Sequence, residues 1–176
     1  MIRKVAFGKA MGAGALGAVA WEAVARPFLV AGATRTDIVF VLGTLLAPPD
    51  RPMLWYPIGL AAHALVGAIW ALVYGYFFWA TWPWPPLLQG LAFALVPWLL
   101  ASVAMLPQLT MLHPLVARGG WPAPGLFGAG NGWPGVATVF LGHATYGAVL
   151  GALYTHPVGH PVTAERRGAL PPIPPV

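Results

Sequence analysis

Four apolar stretches, at about residues 6–33, 53–80, 87–113 and 135–156, dominate this chain. Each exceeds the ~20 residues a helix needs to cross the hydrocarbon core of a bilayer. A backbone at that depth must satisfy its own polar groups, so stretches of this length are read as helices. The composition leaves little alternative. Hydrophobic residues make up 59% of the 176 and charged residues only 7%, against about 25% charged in soluble domains. So few charges exclude an ordinary cytosolic domain, a disordered segment and a coiled coil. The expectation is an all-α integral membrane protein with four transmembrane helices in one domain, residues 1–156.

The N-terminus looks a little like a signal peptide, but its apolar run is too long and carries Glu22 and Arg26. It is read as a retained first helix over about 6–33, kinked at Pro27. Thr34-Arg35-Thr36-Asp37 then offers an N-cap with an acid in the first turn. The run Ile38–Ala47 is too short to span, which predicts an interfacial or re-entrant helix stopped by Pro48-Pro49. The third span contains Pro97 and Pro107. Residues 117–134 form a Gly-, Pro- and Trp-rich loop, in which Gly128 to Gly132 reads as a flexible connection. The Pro-rich tail 157–176 reads as extended or disordered.

Four spans put both termini on one side. Arg3, Lys4, Lys9, Arg166 and Arg167 flank that side; Arg35, Arg51 and Arg118 flank the other. This bias predicts cytoplasmic N- and C-termini in a cell inner membrane. Trp79, Trp82 and Trp84 mark the inner boundary, and Trp55, Tyr56, Trp121 and Trp133 the outer one. The net charge of +5 is scattered over helix ends, with no patch for phosphates, so nucleic acid is not an expected partner. Cysteine is absent, which excludes disulfides and thiolate metal sites.

A second layer of information is self-similarity. The pattern His-Ala-x-x-Gly-Ala-x5-Tyr begins at His63 and again at His143, 80 positions later. At the same offset Pro27 matches Pro107 and Leu29 matches Leu109. The chain therefore reads as two parallel copies of a two-helix unit, about 6–80 and 87–156, related by an axis along the bilayer normal. On each copied helix, His, Gly and Tyr share one stripe. Gly67 and Gly147 with their small neighbours allow close helix approach, and packing is their plain reading.

His63 lies about 12 Å below Trp55, and His143 about 15 Å below Trp133, at 1.5 Å per residue. An intramembrane His must be hydrogen-bonded, paired or ligating. Two opposed imidazoles suit axial ligation of a b-type haem, with Gly67 and Gly147 leaving room for the macrocycle and Arg26 facing a propionate. The plain alternative is structural or proton-handling histidines without a cofactor. His113, His156 and His160 lie near span ends and read as interfacial. Glu22 and Arg26, four apart with the acid first, read as a self-neutralising pair or as part of a proton relay with His63 and His143.

The chain has no phosphate-cradling loop, zinc-protease motif or nucleophile beside a base, so no catalytic residue is assigned. The segments "TRTDIVFVLGTLL", "HALVGAIWALVYG" and "GHATYGAVLGALY", with the Gly-rich first helix and Pro-broken third helix, resemble an uncharacterised family of small bacterial four-helix membrane proteins. That resemblance covers about residues 8–155. It implies the duplicated fold, with family-like positions at His63, His143 and Asp37, and brings no activity. The leading functional expectation is a non-catalytic accessory subunit that packs through Gly-rich faces into a larger membrane complex, possibly an energy-transducing one. A haem-b electron-transfer module on His63 and His143, and a small proton or ion transporter using Glu22, are the alternatives.

Overall fold

The structure, a computed structural model, describes residues 5–155. The described residues are helical throughout their regular structure and contain no strand. Helix α1 runs Phe7–Val30 with Pro27 inside it. Helix α2 is Ile38–Leu46. A 3-10 turn at Pro52–Leu54 leads into α3, Trp55–Val73, which ends in a π turn, Tyr74–Phe78. Helix α4, Pro86–Leu100, passes through a π turn, Ala101–Met105, into α5, Leu106–Leu112. The short α6, Pro114–Ala117, and a 3-10 segment, Leu126–Asn131, precede α7, Gly132–Leu153. Four of these units, Phe7–Val30, Pro52–Phe78, Pro86–Leu112 and Leu126–Leu153, are long and apolar enough to cross a membrane. The chain is a multi-pass membrane protein.

Proline sets the shape of the third span. Pro86 opens α4, where its missing N–H costs nothing. Pro107 sits in the first turn of α5, and just before it the ladder slips to a π turn in which Leu106 N–H donates to the Ala101 carbonyl. A proline can neither donate to the preceding turn nor fit its ring against that turn's carbonyl, and a widened turn absorbs the mismatch.

Small residues decide which helices touch. Helix α1 packs against α3 and α7, α4 packs against α7, and α2 lies on α3. At the α1–α3 crossing Gly67 faces Gly14 and Ala18; at the α4–α7 crossing Gly147 faces Gly90 and Ala94. Within lipid, apolar burial gives helices little reason to associate, so close backbone approach supplies the attraction. Helices α3 and α4 form no such packed interface. They meet at one end only, where the buried Phe93 ring lies 5.1 Å from Tyr74, 5.0 Å from Phe78 and 6.2 Å from Trp70. Away from that cluster the seam stays open. At the same end Lys9 donates to the carbonyl and hydroxyl oxygens of Thr155, fastening the start of α1 beside the end of α7.

Several sequence expectations need correction. The N-cap of α2 is Asp37 itself, whose Oδ1 accepts from Phe40 N–H at 2.9 Å, and no acid lies in the first turn. The Thr36 hydroxyl is engaged elsewhere, by Thr34 and Asn131. His113, read as interfacial from its place at a span end, is enclosed within the protein, at 1% exposure. Its Nδ1 accepts from Leu115 N–H at 3.2 Å, which leaves Nε2–H to donate to the Val41 carbonyl at 3.1 Å, so the ring ties α2 to the turn before α6. Gly128 to Gly132 is not a loose linker. Gly130 N–H donates to the Pro124 carbonyl at 2.8 Å, and a Cβ on Gly130 would lie 2.1 Å from the Ala123 oxygen. The tail 157–176, His156 and His160 lie outside the described residues, as do four of the five charges used to orient the termini.

The α2–α3 crossing is the tightest test of this packing. A Cβ on Gly59 would fall 1.9 Å from the Val39 oxygen, whereas Gly12 has nothing within 4 Å. Gly59→Ala is expected to destabilise the detergent-solubilised protein by about 1–3 kcal/mol, and Gly12→Ala to leave it unchanged. Equal thermal melting of the two variants would contradict the crossing.

Candidate functional site

Helix α1 carries three consequential residues within six positions: Trp21, Glu22 and Arg26. Trp21 and Glu22 are buried, at 4% and 7% exposure. The Arg26 guanidinium reaches Glu22 Oε2 at 3.5 Å and Asp37 Oδ2 at 3.2 Å. It also lies 5.5 Å from the Tyr56 ring centroid, in cation–π range, and the Tyr56 hydroxyl donates to Asp37 Oδ2 at 3.0 Å. Asp37 thus caps α2 with one oxygen and receives Arg26 and Tyr56 on the other. The local order of the chain explains this: α1 ends, the Thr34–Thr36 turn reverses direction, and the cap of α2 lands beside the last turns of α1.

The other face of Glu22 meets α3. Its Oε1 lies 3.1 Å from His63 Nδ1. The approach is close enough for ion pairing but off the line of a hydrogen bond, and neither atom has another partner. A polar chain therefore runs Asp37–Arg26–Glu22–His63. Its exposure is uneven: the Arg26 side chain is 41% exposed, whereas those of Asp37, Glu22 and His63 are 6%, 9% and 15% exposed. A buried carboxylate is tolerable only with such partners. The expected Glu22–Arg26 pair is present, but as the middle of a longer chain.

His143 joins from α7. Its Nδ1 is 2.8 Å from the Val139 carbonyl and 3.5 Å from the Trp21 indole nitrogen. One Nδ1 cannot donate to the carbonyl and accept from the indole together. The shorter contact assigns Nδ1–H to Val139 and leaves Nε2 as a lone-pair acceptor. Trp21 stands between the histidines, edge-on to both rings, with centroids 5.3 Å from His63 and 6.3 Å from His143. Gly142 makes room for it: a Cβ there would lie 2.1 Å from the indole nitrogen.

Both histidines line one cavity of about 400 Å³. Its walls are mostly apolar, with Val66, Leu100, Ala104 and Met105 among them, and Trp21, Trp70 and Tyr146 add aromatic faces. The cavity occupies the open seam between α3 and the third span, with α1 and α7 behind it. Toward the Phe93 end the polar chain stops. The Tyr146 hydroxyl is spent on the Gly67 carbonyl at 2.8 Å, and beyond it stand Trp70 and the Phe93 ring cluster.

The expected site residues are therefore brought together unequally. His63, His143 and Gly67 share the cavity, and Glu22 lies directly behind His63. Gly147 faces α4 and does not line the cavity. Arg26 is held by two carboxylates of its own chain. A macrocycle ligated by both imidazoles would have to displace Trp21. Among the described residues no group of three or more His, Cys, Asp or Glu forms a metal site. Trp21, Tyr56, Tyr146 and Asp37 are the residues that sequence reasoning passed over as parts of a site. The one legible sign was a tryptophan at mid-span, next to the only acid of α1, instead of at an interface.

No family model matches the chain, and neither does any curated protein or solved structure.

Asp37 combines a cap with two side-chain partners, and substitution separates them. Asp37→Asn keeps a capping oxygen, whereas Asp37→Ala removes it. The Ala variant is expected to be less stable than the Asn variant by about 1 kcal/mol, the usual value of an N-cap. Identical unfolding midpoints would show that the cap contributes nothing.

Proposed function

We propose that this protein is a small non-catalytic membrane module that gives one side of the bilayer proton access to an intramembrane cavity. Glu22 and His63 are the proton-handling pair; Arg26, which keeps its own proton and is held by Asp37, lies beside them at the exposed end and orients Glu22. The observation that carries this reading is the Asp37–Arg26–Glu22–His63 chain, whose half-exposed member is Arg26 and whose last member lies on the cavity wall. It refines the transporter alternative. An aromatic plug of Tyr146, Trp70 and Phe93 separates the cavity from the opposite face, so the path serves one side instead of crossing. The accessory-subunit expectation rested on Gly-rich faces meeting a partner. Gly14, Gly67, Gly90 and Gly147 meet helices of this same chain instead.

The fold supports the duplicated-hairpin reading as an origin for the site. Gly67 and Gly147 stand 80 positions apart, and each meets a Gly and an Ala four residues apart on its partner helix. Those partners, Gly14 and Gly90, are 76 apart. The two hairpins then share one crossing, slipped by a single turn. We place the short α2 at the outer interface and both termini of the chain on the cytoplasmic side of an inner membrane. The likeness to small four-helix membrane proteins, carried by the same segments, fits this arrangement.

Trp21 supplies the readout. A protonated imidazole at an indole edge quenches its emission, and the titratable or charged groups around His63 are Glu22, Arg26 and His143. A fluorescence titration is expected to show a pH-dependent quenching step that vanishes in Trp21→Phe and His63→Ala and moves in Glu22→Gln. In uniformly oriented vesicles the step follows the pH on the Asp37 side alone. A step that survives His63→Ala, or transmembrane proton flux abolished by Glu22→Gln, would overturn one-sided access. A Soret band lost in His63→Ala or His143→Ala would replace it with the haem reading.

A further inference from the structure

The cavity opens sideways, between two helices that do not pack, and this determines what can enter it. A molecule arriving there comes from the lipid phase. At about 400 Å³ the space is in the range of small-molecule sites and fits a substituted single ring better than a bulky headgroup. Its aromatic walls, Trp21, Trp70 and Tyr146, offer flat faces to such a ring. Its polar equipment is sparse: Gln108, Thr36, whose hydroxyl is engaged by Thr34 and Asn131, and the two histidines. His143 directs Nδ1 to Val139, and His63 directs Nδ1 to Glu22. Neither Nε2 is bonded by any described residue. His143 therefore presents Nε2 as an acceptor, and an acceptor in an apolar wall is satisfied by a ligand hydroxyl; a hydroxyl, which both donates and accepts, also suits His63 Nε2. No lysine or arginine lines the cavity, which disfavours an anionic headgroup. Glu22 lies behind His63 and not in the lining, which disfavours a lipophilic cation.

We propose that the cavity binds a lipid-soluble quinol: a neutral ring with one hydroxyl donating to His143 Nε2, the other meeting His63 Nε2, and a tail that leaves between α3 and the third span. Only binding is inferred. The proposal rests on the cavity of the preceding reading and is independent of its proton access.

The fluorescent quinol analogue heptyl-hydroxyquinoline N-oxide is the probe, titrated anaerobically onto the detergent-solubilised full chain. Saturable binding is expected, displaced by decylubiquinol and not by oleate or tetraphenylphosphonium. His143→Ala is expected to weaken it about tenfold, the loss of one buried hydrogen bond. Ala104→Trp, which fills the cavity, is expected to abolish it. If Ala104→Trp does not fold, Leu100→Trp is read in its place, because Leu100 lines the cavity yet is 48% exposed and tolerates a larger side chain. Absence of saturable binding, equal displacement by oleate or tetraphenylphosphonium, or binding indifferent to both Trp variants would overturn the proposal. The pH-dependent step of Trp21, recorded on the same samples, shows separately whether proton access stands.

Discussion

Helices in lipid have no water to expel from between them, so their arrangement depends on how closely backbones can approach. Here that approach is confined to a few crossings built from glycine and alanine. Gly14 and Ala18 meet Gly67, Gly90 and Ala94 meet Gly147, and Gly43 and Gly59 bring α2 onto α3. These contacts are backbone to backbone, and a single added methyl has nowhere to go at most of them. They also decide what is left apart. Helices α3 and α4 have no such pairing along their length and touch only through the Phe93 ring cluster. The cavity is what remains when three of the four long-helix seams close and the fourth does not.

Electrostatics then selects where polarity can be placed in this frame. A carboxylate at the depth of Glu22 is costly unless opposed and bonded. Arg26 meets that demand from one side and His63 from the other. Arg26 is in turn anchored by Asp37, whose second task, capping α2, fixes the carboxylate independently of the ion pair. The cap thereby orients the arginine, the arginine neutralises the acid, and the acid faces the histidine. Removing any member leaves its neighbour partly desolvated without a partner. The chain can be held together because Arg26 still reaches solvent or headgroups, which lowers its own desolvation cost.

Much of this was legible in the sequence, for definite reasons. Hydropathy and length set the four spans, because a bilayer imposes one thickness on all of them. The i,i+4 spacing placed Glu22 and Arg26 together, because helical geometry is local. The shared pattern brought His63 and His143 to one cavity. What escaped reading depends on tertiary direction. His113 looked interfacial by position, yet α2 folds over it and its ring is enclosed. Asp37 looked like a first-turn acid, whereas the Thr34–Thr36 turn uses the threonine hydroxyls and leaves the aspartate as the cap. Gly67 and Gly147 are equivalent in sequence and face different environments. No periodicity announces which of two equivalent seams will close.

That unequal closure bears on function. Under the proposed duplication, the α1–α7 interface and the α3–α4 seam are counterparts. A strictly symmetric bundle would close both or neither, giving either a sealed core or two shallow grooves. Trp21 shows how the tie is broken. On α1 it wedges against Gly142 of α7, filling the closed seam and standing between the histidines. Its counterpart is Ala101 by the sequence offset of 80 and Pro97 by the packing offset of 76, and both line the cavity instead. A large aromatic side chain on one copy and a smaller one on the other convert two like seams into one wall and one opening. The same substitution decides that the imidazoles are separated by an indole, so a ligand meets them from the lipid side of the seam.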